Sequence, residues 1–202
     1  MNFVEDVTGQ AIISMAGREK FLIINLENKN KIILHLRMTG CLLVTPSDYQ
    51  LEKHTHIIMQ LSNGMELRFS DTCRFGRFWL IRNDEKDTYS GIEKLGLAPL
   101  SAGYNAEYPQ SRLEKRKKQS NGLSVSDWER LASEIADCLR YFIDKNSISQ
   151  EYYLITKGQD YRNTPFLQMY GHANESCPNC GNTLCRTVIG GRSSVYCPAC
   201  QK

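Results

Sequence analysis

The chain has 202 residues, of which 41% are hydrophobic and 23% are charged, and its formal net charge is +3. These values are typical of a globular protein with a packed core, and they exclude a disordered chain. No apolar stretch reaches the roughly 18 residues that indicate a transmembrane helix, and the start of the sequence does not resemble a signal peptide. We therefore expect an intracellular protein whose eight cysteines are thiols or metal ligands rather than disulfides.

Residues 10 to 82 are predicted to form β-structure. Short apolar or alternating runs recur there at a spacing typical of an all-β sandwich or barrel. Asn63-Gly64 lies between two of these runs and favours a two-residue type I′ hairpin, because both central residues of that turn need positive φ. The predicted strands are residues 11–15, 21–25, 31–36, 41–44, 56–61, 65–70 and 77–82.

A turn-rich segment, residues 83 to 123, is predicted to have little regular structure. It contains the basic run Arg112–Lys118, which is either a solvated linker or a nucleic-acid contact. A helix is predicted next, because Ser124-Val125-Ser126-Asp127 is a capping box, and it should end near Lys145-Asn146. Apolar residues at steps of three and four predict its buried face, formed by Trp128, Leu131, Ile135, Leu139 and Phe142.

Two Cys-x2-Cys pairs lie near the C-terminus, sixteen residues apart. This spacing is typical of a tetrahedral four-cysteine site that holds a structural zinc ion. Between the pairs, Gly190-Gly191 permits the turn of a β-hairpin with Arg192 near its tip. The predicted zinc ligands are Cys177, Cys180, Cys197 and Cys200. The other cysteines, which are predicted to be small buried residues, are Cys41, Cys73, Cys138 and Cys185.

Several segments of the chain resemble the formamidopyrimidine-DNA glycosylase / endonuclease VIII family, and they occur in the same order as the family motifs. The resemblance covers most of residues 9–100 and 123–202. A set of ordered motifs is more specific than any one of them alone. The similar segments are His35–Gly40, Glu52–His56, Asp71–Gly76, Leu95–Leu100, Leu167–Gly171 and the zinc-finger end, Gly190–Lys202.

The resemblance implies binding to double-stranded DNA. Family members are base-excision repair enzymes that flip a damaged base out of the duplex. By resemblance, Met38 and Phe75 fill and wedge the gap left in the base stack, although ordinary core packing is the alternative for both. A set of backbone phosphate contacts is also implied, made by Lys20, His54, Arg74 and Arg192.

Three departures from the family pattern bear on function. The family begins Met-Pro-Glu, with the proline as nucleophile and the glutamate assisting proton transfer, whereas this chain begins Met1-Asn2-Phe3 and is expected to lack both groups. Most of the family's helix–two-turn–helix element is expected to be missing, because the basic run passes almost directly into the Ser124 helix. Cys73 stands where the family has an arginine that pairs with the base opposite the lesion, and a thiol is a weaker donor.

We therefore expect an α+β protein with an antiparallel β-sandwich remnant (1–103), a basic linker (104–123), a short helical segment (124–172) and a four-cysteine zinc β-hairpin (173–202). Its expected function is binding of damaged or distorted duplex DNA without proline-based chemistry, in the cytoplasm at the nucleoid. Two alternatives stay open. One is an active glycosylase or abasic-site lyase that uses Met1 or Lys20 as a substitute amine, and the other is a degenerate or protein-binding zinc module.

Overall fold

The computed structural model describes residues 2–115, 122–147, 149–156 and 164–201. The chain divides into two compact units, Met1–Ala132 and Ser133–Lys202. Helices, antiparallel strands and a C-terminal hairpin with a cysteine cluster confirm the expected α+β class. The finer division into four segments stays a prediction. Within the described ranges, no helix is long and apolar enough to cross a membrane.

The first unit is built on two antiparallel sheets, preceded by the short helix α1 (Phe3–Val7). One sheet has the strand order β1-β2-β3-β7, and the other has the order β4-β6-β5. All seven predicted strands are confirmed, with ends that differ by a few residues. They are β1 (Ile12–Arg18), β2 (Phe21–Leu26), β3 (Lys31–His35), β4 (Gly40–Pro46), β5 (Thr55–Gln60), β6 (Met65–Asp71) and β7 (Arg77–Ile81).

Strand β3 is buried on both faces, which makes it the centre of the first unit. Successive side chains of a strand point to opposite faces of the sheet. Ile32 and Leu34 therefore join the cluster that includes Leu67 of the second sheet, whereas Ile33 packs with Phe21 on the other face. This burial fixes the register of the strand, and with it the position of the loop that follows.

The turn between β5 and β6 differs from the predicted type I′ hairpin. Gly64 has positive φ (79°), but Asn63 is not in the left-handed region. The Leu61 N–H donates to the Met65 carbonyl at 2.8 Å, and the Gly64 N–H donates to the Leu61 carbonyl at 3.2 Å. The loop is therefore longer than two residues, and the Asn63 side chain instead accepts a hydrogen bond from the Met65 N–H.

The prediction of little regular structure before residue 123 is wrong for helix α2 (Glu107–Lys115). The basic run Arg112–Lys118 begins within this helix, and its last three residues, 116–118, lie outside the described residues. Helix α3 (Val125–Lys145) begins and ends where it was predicted. Its capping box is confirmed, since the Ser124 N–H donates to Asp127 Oδ2 at 3.0 Å and the Asp127 N–H donates to Ser124 Oγ at 3.2 Å.

The buried face of α3 is not the one predicted. Trp128 is buried as expected, but the other buried residues are Ala132 and Ala136, and both Leu131 and Leu139 are exposed. The three buried residues follow steps of four, and small alanine side chains let neighbouring groups approach the helix backbone. The prediction failed because it assigned burial to the largest apolar side chains.

The second unit ends in a β-hairpin. Helix α4 (Gln150–Thr156) precedes it in the chain, and strands β8 (Cys185–Ile189) and β9 (Arg192–Tyr196) pair in antiparallel register. Gly190 and Gly191 both have positive φ, at 56° and 78°. A two-residue turn with this geometry matches the right-handed twist of the strands that it joins, and this prediction is confirmed.

Candidate functional site

Two loops lie at the same end of the sandwich of the first unit. The Met38 loop (residues 36–39) joins β3 to β4, and the Phe75 loop (residues 72–76) joins β6 to β7. They are neighbours because His35 pairs with Arg77, and Gly40 pairs with Asp71. Met38 is 83% exposed and Phe75 is 56% exposed. Neither side chain is part of the core, so the structure places both apolar tips in solvent.

A single buried carboxylate, that of Asp71, fastens the two loops. The side chain is only 1% exposed. Its Oδ1 accepts hydrogen bonds from the Thr39 hydroxyl and from the Cys73 N–H (3.2 Å), and its Oδ2 accepts one from the Gly76 N–H (2.7 Å). Burial raises the pKa of Asp71, but the hydrogen bonds together lower the pKa by a larger amount. The pKa of Asp71 therefore lies below the usual carboxyl value.

Close packing leaves no room for side chains at two glycines, Gly76 in the Phe75 loop and Gly40 directly after the Met38 loop. A Cβ on Gly76 would lie 2.4 Å from Phe69 Cζ, and one on Gly40 would lie 2.2 Å from the Leu36 carbonyl oxygen. Each loop also contains an arginine in the left-handed region, Arg37 (φ 59°) and Arg74 (φ 58°). A non-glycine residue is rarely held there, and such strain clusters at functional sites.

Two of the predicted phosphate contacts lie beside these loops. Lys20 is exposed in the turn between β1 and β2, next to Phe21, which pairs with His35 at the base of the Met38 loop. Burial first, and then the charges of Arg37 and Lys20, lower the pKa of His35. His54 is half-buried, and its carbonyl accepts the Asp71 N–H at 3.0 Å.

Sequence reasoning missed two cations of this end of the sandwich. Arg37 lies in the Met38 loop, and Arg77 begins β7 opposite His35. Both are exposed, and together with the predicted Arg74 and Lys20 they make this end basic. The signal was available in the sequence, because Arg37 lies within the family-like segment His35–Gly40 and Arg77 directly follows Asp71–Gly76.

The remaining predicted contact, Arg192, lies in the second unit. It is the first residue of β9, directly after the glycine turn, and it pairs with Ile189. Arg192 is exposed, as are the neighbouring apolar residues Val188 and Ile189. The predicted position of Arg192 near the hairpin tip is therefore confirmed.

The four paired cysteines form a cluster with the size of a zinc site. Their Sγ atoms all lie within 4.8 Å of one another. Tetrahedral Zn–S bonds of about 2.3 Å would place them about 3.8 Å apart, so the donor set fits one zinc ion. Within the cluster, Cys177 and Cys197 are buried, whereas Cys180 and Cys200 are exposed.

Neighbouring groups orient these ligands. The Asn182 side chain donates to Cys180 Sγ at 3.3 Å, and the Asn179 side chain donates to Cys200 Sγ at 3.4 Å. Hydrogen bonds led by that of Asn182 lower the pKa of the Cys180 thiol to about 6. Leu184 is fully buried against the cluster and closes it on the inner side.

The prediction that the four dispersed cysteines are buried is wrong. Cys73 and Cys138 are exposed, and Cys41 and Cys185 are half-buried. Cys73 lies in the solvent-facing Phe75 loop, and Cys138 lies on an exposed part of α3. The structure thus leaves a thiol accessible beside the Phe75 tip.

Comparison with known proteins connects both parts of the chain to one family. The family model for the formamidopyrimidine-DNA glycosylase N-terminal domain matches residues 1–78, and the model for the zinc finger found in FPG and IleRS matches residues 174–202. A formamidopyrimidine-DNA glycosylase of Pelotomaculum thermopropionicum is 30% identical, with 99% of this chain and 84% of that protein covered. One from Desulfitobacterium hafniense is 31% identical, with 98% and 85% covered.

Solved structures with the same fold include complexes with DNA. The complex between Lactococcus lactis Fpg and an abasic site containing DNA matches with a TM-score of 0.78 and 25% identity, and it covers 98% of this chain and 84% of that chain. The structure of MutM in complex with carbocyclic 8-oxo-G containing DNA matches with a TM-score of 0.77, 25% identity and the same coverage.

The two-sheet sandwich and the four-cysteine hairpin define a zinc-finger protein with a DNA-glycosylase fold. The chain belongs to the formamidopyrimidine-DNA glycosylase family. Its cysteine cluster, Cys177, Cys180, Cys197 and Cys200, is the zinc site of the family's finger. The alignment with the first relative extends over 233 residues, whereas this chain has 202, so about 30 residues of that relative have no counterpart within the aligned region.

Proposed function

We propose that this protein binds damaged or distorted duplex DNA and does so without the proline-based chemistry of its family. The observation that carries the proposal is the pair of exposed apolar tips, Met38 and Phe75, held on neighbouring loops by the buried Asp71. Relatives with the same fold have been solved with abasic-site DNA and with 8-oxo-G DNA. These partners support duplex DNA with a lesion as the ligand of this chain.

The basic residues around the loops supply the affinity in this proposal. Lys20, His54 and Arg74 contact backbone phosphates near the lesion, and the newly found Arg37 and Arg77 add to the positive field. Phosphate contacts position a protein on DNA without reading its sequence. Such binding weakens steeply as salt rises, because neutralised phosphates release their counterions.

The apolar tips supply the preference for damaged sites. An apolar wedge enters the duplex by unstacking a base step, which costs a few kcal/mol in intact DNA. The cost is lowest where a base is damaged, mismatched or missing. Met38 and Phe75 therefore gain their contacts at lower cost at a lesion than in intact duplex.

In the second unit, Arg192 supplies a further phosphate contact. A guanidinium binds phosphate through two parallel hydrogen bonds, and a rigid hairpin tip presents it with little loss of entropy. The zinc ion contributes by folding the hairpin that carries this residue. It takes no part in a reaction, because four sulfur ligands close its coordination shell.

The absence of covalent chemistry is inferred from the groups near the loops. By resemblance, the family nucleophile is the amine of a proline, and no proline lies in the Met38 loop, in the Phe75 loop or in the turn that carries Lys20. Lys20 is exposed, and its position beside Arg37 and His35 suits a phosphate contact. In this proposal Lys20 therefore holds a phosphate and is not the nucleophile.

Substitutions at the apolar tips should change the preference for damaged over intact duplex, whereas substitutions at the cations should change the affinity for every duplex. We expect Arg74→Ala and Arg192→Ala to weaken binding to all duplexes alike and each to reduce the salt-dependence slope by about one. We expect Phe75→Ala to lower the preference for abasic over intact duplex by about tenfold, since base–aromatic stacking contributes about 1–3 kcal/mol. Fluorescence anisotropy with both duplexes at several salt concentrations measures these effects.

A matched control removes a charge from the far end of the same sheet. Lys31 is exposed at the start of β3, whereas the Met38 loop follows the end of that strand. Lys31→Ala should therefore leave both affinities close to those of the parent. If Arg74→Ala and Phe75→Ala behave like Lys31→Ala, the loops do not contact DNA and the proposed function is wrong.

Borohydride trapping tests the chemical part of the proposal. Incubation with abasic-site duplex and borohydride should give no covalent protein–DNA band on a denaturing gel, because this proposal assigns Lys20 to a phosphate and leaves it no role as an amine nucleophile. A trapped band with strand scission would show that the protein is an active lyase. Loss of that band in Lys20→Ala, or after blocking the N-terminal amine, would then identify the substitute nucleophile.

A further inference from the structure

The hydroxyl group of Thr39 joins the Met38 loop to the Phe75 loop. It donates a hydrogen bond to Asp71 Oδ1, and it accepts one from the Cys73 N–H at 3.0 Å. The hydroxyl thus acts as both a donor and an acceptor between segments that lie more than 30 residues apart in sequence. Thr39 itself is exposed, so this contact is not a by-product of core packing.

We propose that Thr39 is a positioning residue that couples Met38 to Phe75, so that the two tips enter DNA as one unit. The consequence for DNA rests on the function proposed above. Met38 directly precedes Thr39, and Phe75 follows Cys73 by two residues. Each tip is therefore within two residues of the hydroxyl bridge, and a shift of one loop is transmitted to the other.

The Met38 loop is also stabilised by hydrogen bonds that do not reach the Phe75 loop. Coupling between the two loops therefore depends on the Thr39 hydroxyl. The Arg37 N–H donates to Nδ1 of the buried His35 at 3.0 Å, and the Gly40 N–H donates to the Leu36 carbonyl at 3.0 Å. Both contacts lie within the Met38 loop and its flanking residues. They make that loop rigid, but they do not tie it to Phe75.

Paired substitutions at Thr39 isolate the hydroxyl. Valine replaces the hydroxyl of threonine with a methyl group, whereas serine keeps the hydroxyl and loses only a methyl group. Because the residue is exposed, neither change opens a cavity in the core. Thr39→Val should break the bridge, and Thr39→Ser should preserve it.

The first measurement needs no DNA. Amide hydrogen exchange at Cys73, followed by NMR on the full chain with zinc, should be several-fold faster in Thr39→Val, because the N–H loses one of its two acceptors. Thr39→Ser should exchange at the rate of the parent. Unchanged exchange in Thr39→Val would show that the bridge does not hold the loops, and it would overturn the proposal.

The second measurement is a double-mutant cycle on DNA. The ratio of affinities for abasic and intact duplex is measured for Met38→Ala, Phe75→Ala and the double variant, in the parent, Thr39→Val and Thr39→Ser backgrounds. We expect a coupling of about fivefold in the parent and in Thr39→Ser, a size typical of residues that act together, and no coupling in Thr39→Val. Equal coupling in all three backgrounds would overturn the proposal.

The two measurements distinguish this inference from the proposed function. If the parent shows no preference for abasic duplex, the proposed function fails, and the amide exchange still decides whether Thr39 couples the loops. If the parent shows the preference but Met38 and Phe75 contribute independently, the proposed function stands and the coupling is rejected.

Discussion

Replacing Cys197 by serine is expected to abolish zinc binding and to unfold the finger, residues 174–201. Cys197 is 1% exposed and packs with the fully buried Leu184, so it is both a ligand and part of the small core of the finger. Structural zinc sites contribute an apparent binding free energy of about 10–16 kcal/mol, and a module of this size has no other source of comparable stability. Removing the metal from the parent with a chelator should have the same effect.

Metal analysis measures the loss of zinc, and NMR measures the unfolding of the finger. Tryptophan fluorescence tests whether the unfolding is confined to the finger. The parent should hold one zinc per chain and Cys197→Ser should hold none. Both tryptophans, Trp79 and Trp128, lie in the first unit, so their emission should not change. Cys185→Ser is the matched control, because Cys185 lies in the same hairpin outside the cluster and should leave zinc bound. A Cys197→Ser protein with bound zinc and an intact hairpin would contradict the assignment.

The second large effect is expected at Asp71. In Asp71→Asn, the side-chain amide can keep an oxygen acceptor for Thr39 and Cys73, but its nitrogen then faces the Gly76 N–H, which is also a donor. Hydrogen bonds to a buried charge are lost and one donor is left unsatisfied, so we expect the free energy of unfolding to fall by about 2–4 kcal/mol. Denaturant unfolding followed by tryptophan fluorescence measures this loss in the first unit.

The same substitution should change the response to acid. Because the pKa of folded Asp71 lies below the unfolded carboxyl value of about 3.9, its stabilising contribution is fully present above that value and is lost as the pH falls through the folded pKa. Asp71→Asn should therefore lose less stability than the parent below about pH 4. Asp48→Asn, which makes the same chemical change at an exposed position, is the control. Equal acid sensitivity in Asp71→Asn and the parent would contradict this role.

Local signals predicted most of the fold. The strands have alternating or apolar runs, helix α3 has a capping box, and the zinc ligands have a fixed spacing. These features depend on neighbours within a few residues. The type I′ turn at Asn63-Gly64 failed because loop length is also set by the pairing register of β5 with β6, which the dipeptide does not encode.

The role of the Asp71 carboxylate in holding the two loops could not be predicted from local signals. The motif around Asp71 pointed to Arg74 and Phe75 by resemblance, but the role of the carboxylate depends on Thr39, which is 32 residues away. Its burial follows from the pairing of β4 with β6, a long-range contact. The prediction of the buried face of α3 failed for a related reason. Periodicity identifies an apolar stripe on a helix, but it does not show which part of the stripe is covered by other residues.

Because one ionised carboxylate holds both loops at their base, the residues at the loop tips can be changed by protein engineering without changing the residues at the base. The base consists of Thr39, Asp71 and Gly76, whose hydrogen bonds and close packing leave little freedom for other residues. The tips, Met38 and Phe75, point into solvent and carry no part of that scaffold. A library designed to recognise a new lesion should therefore vary the tips and keep the base and both loop lengths. An inserted residue in either loop would move that loop away from the Asp71 carboxylate that both loops share.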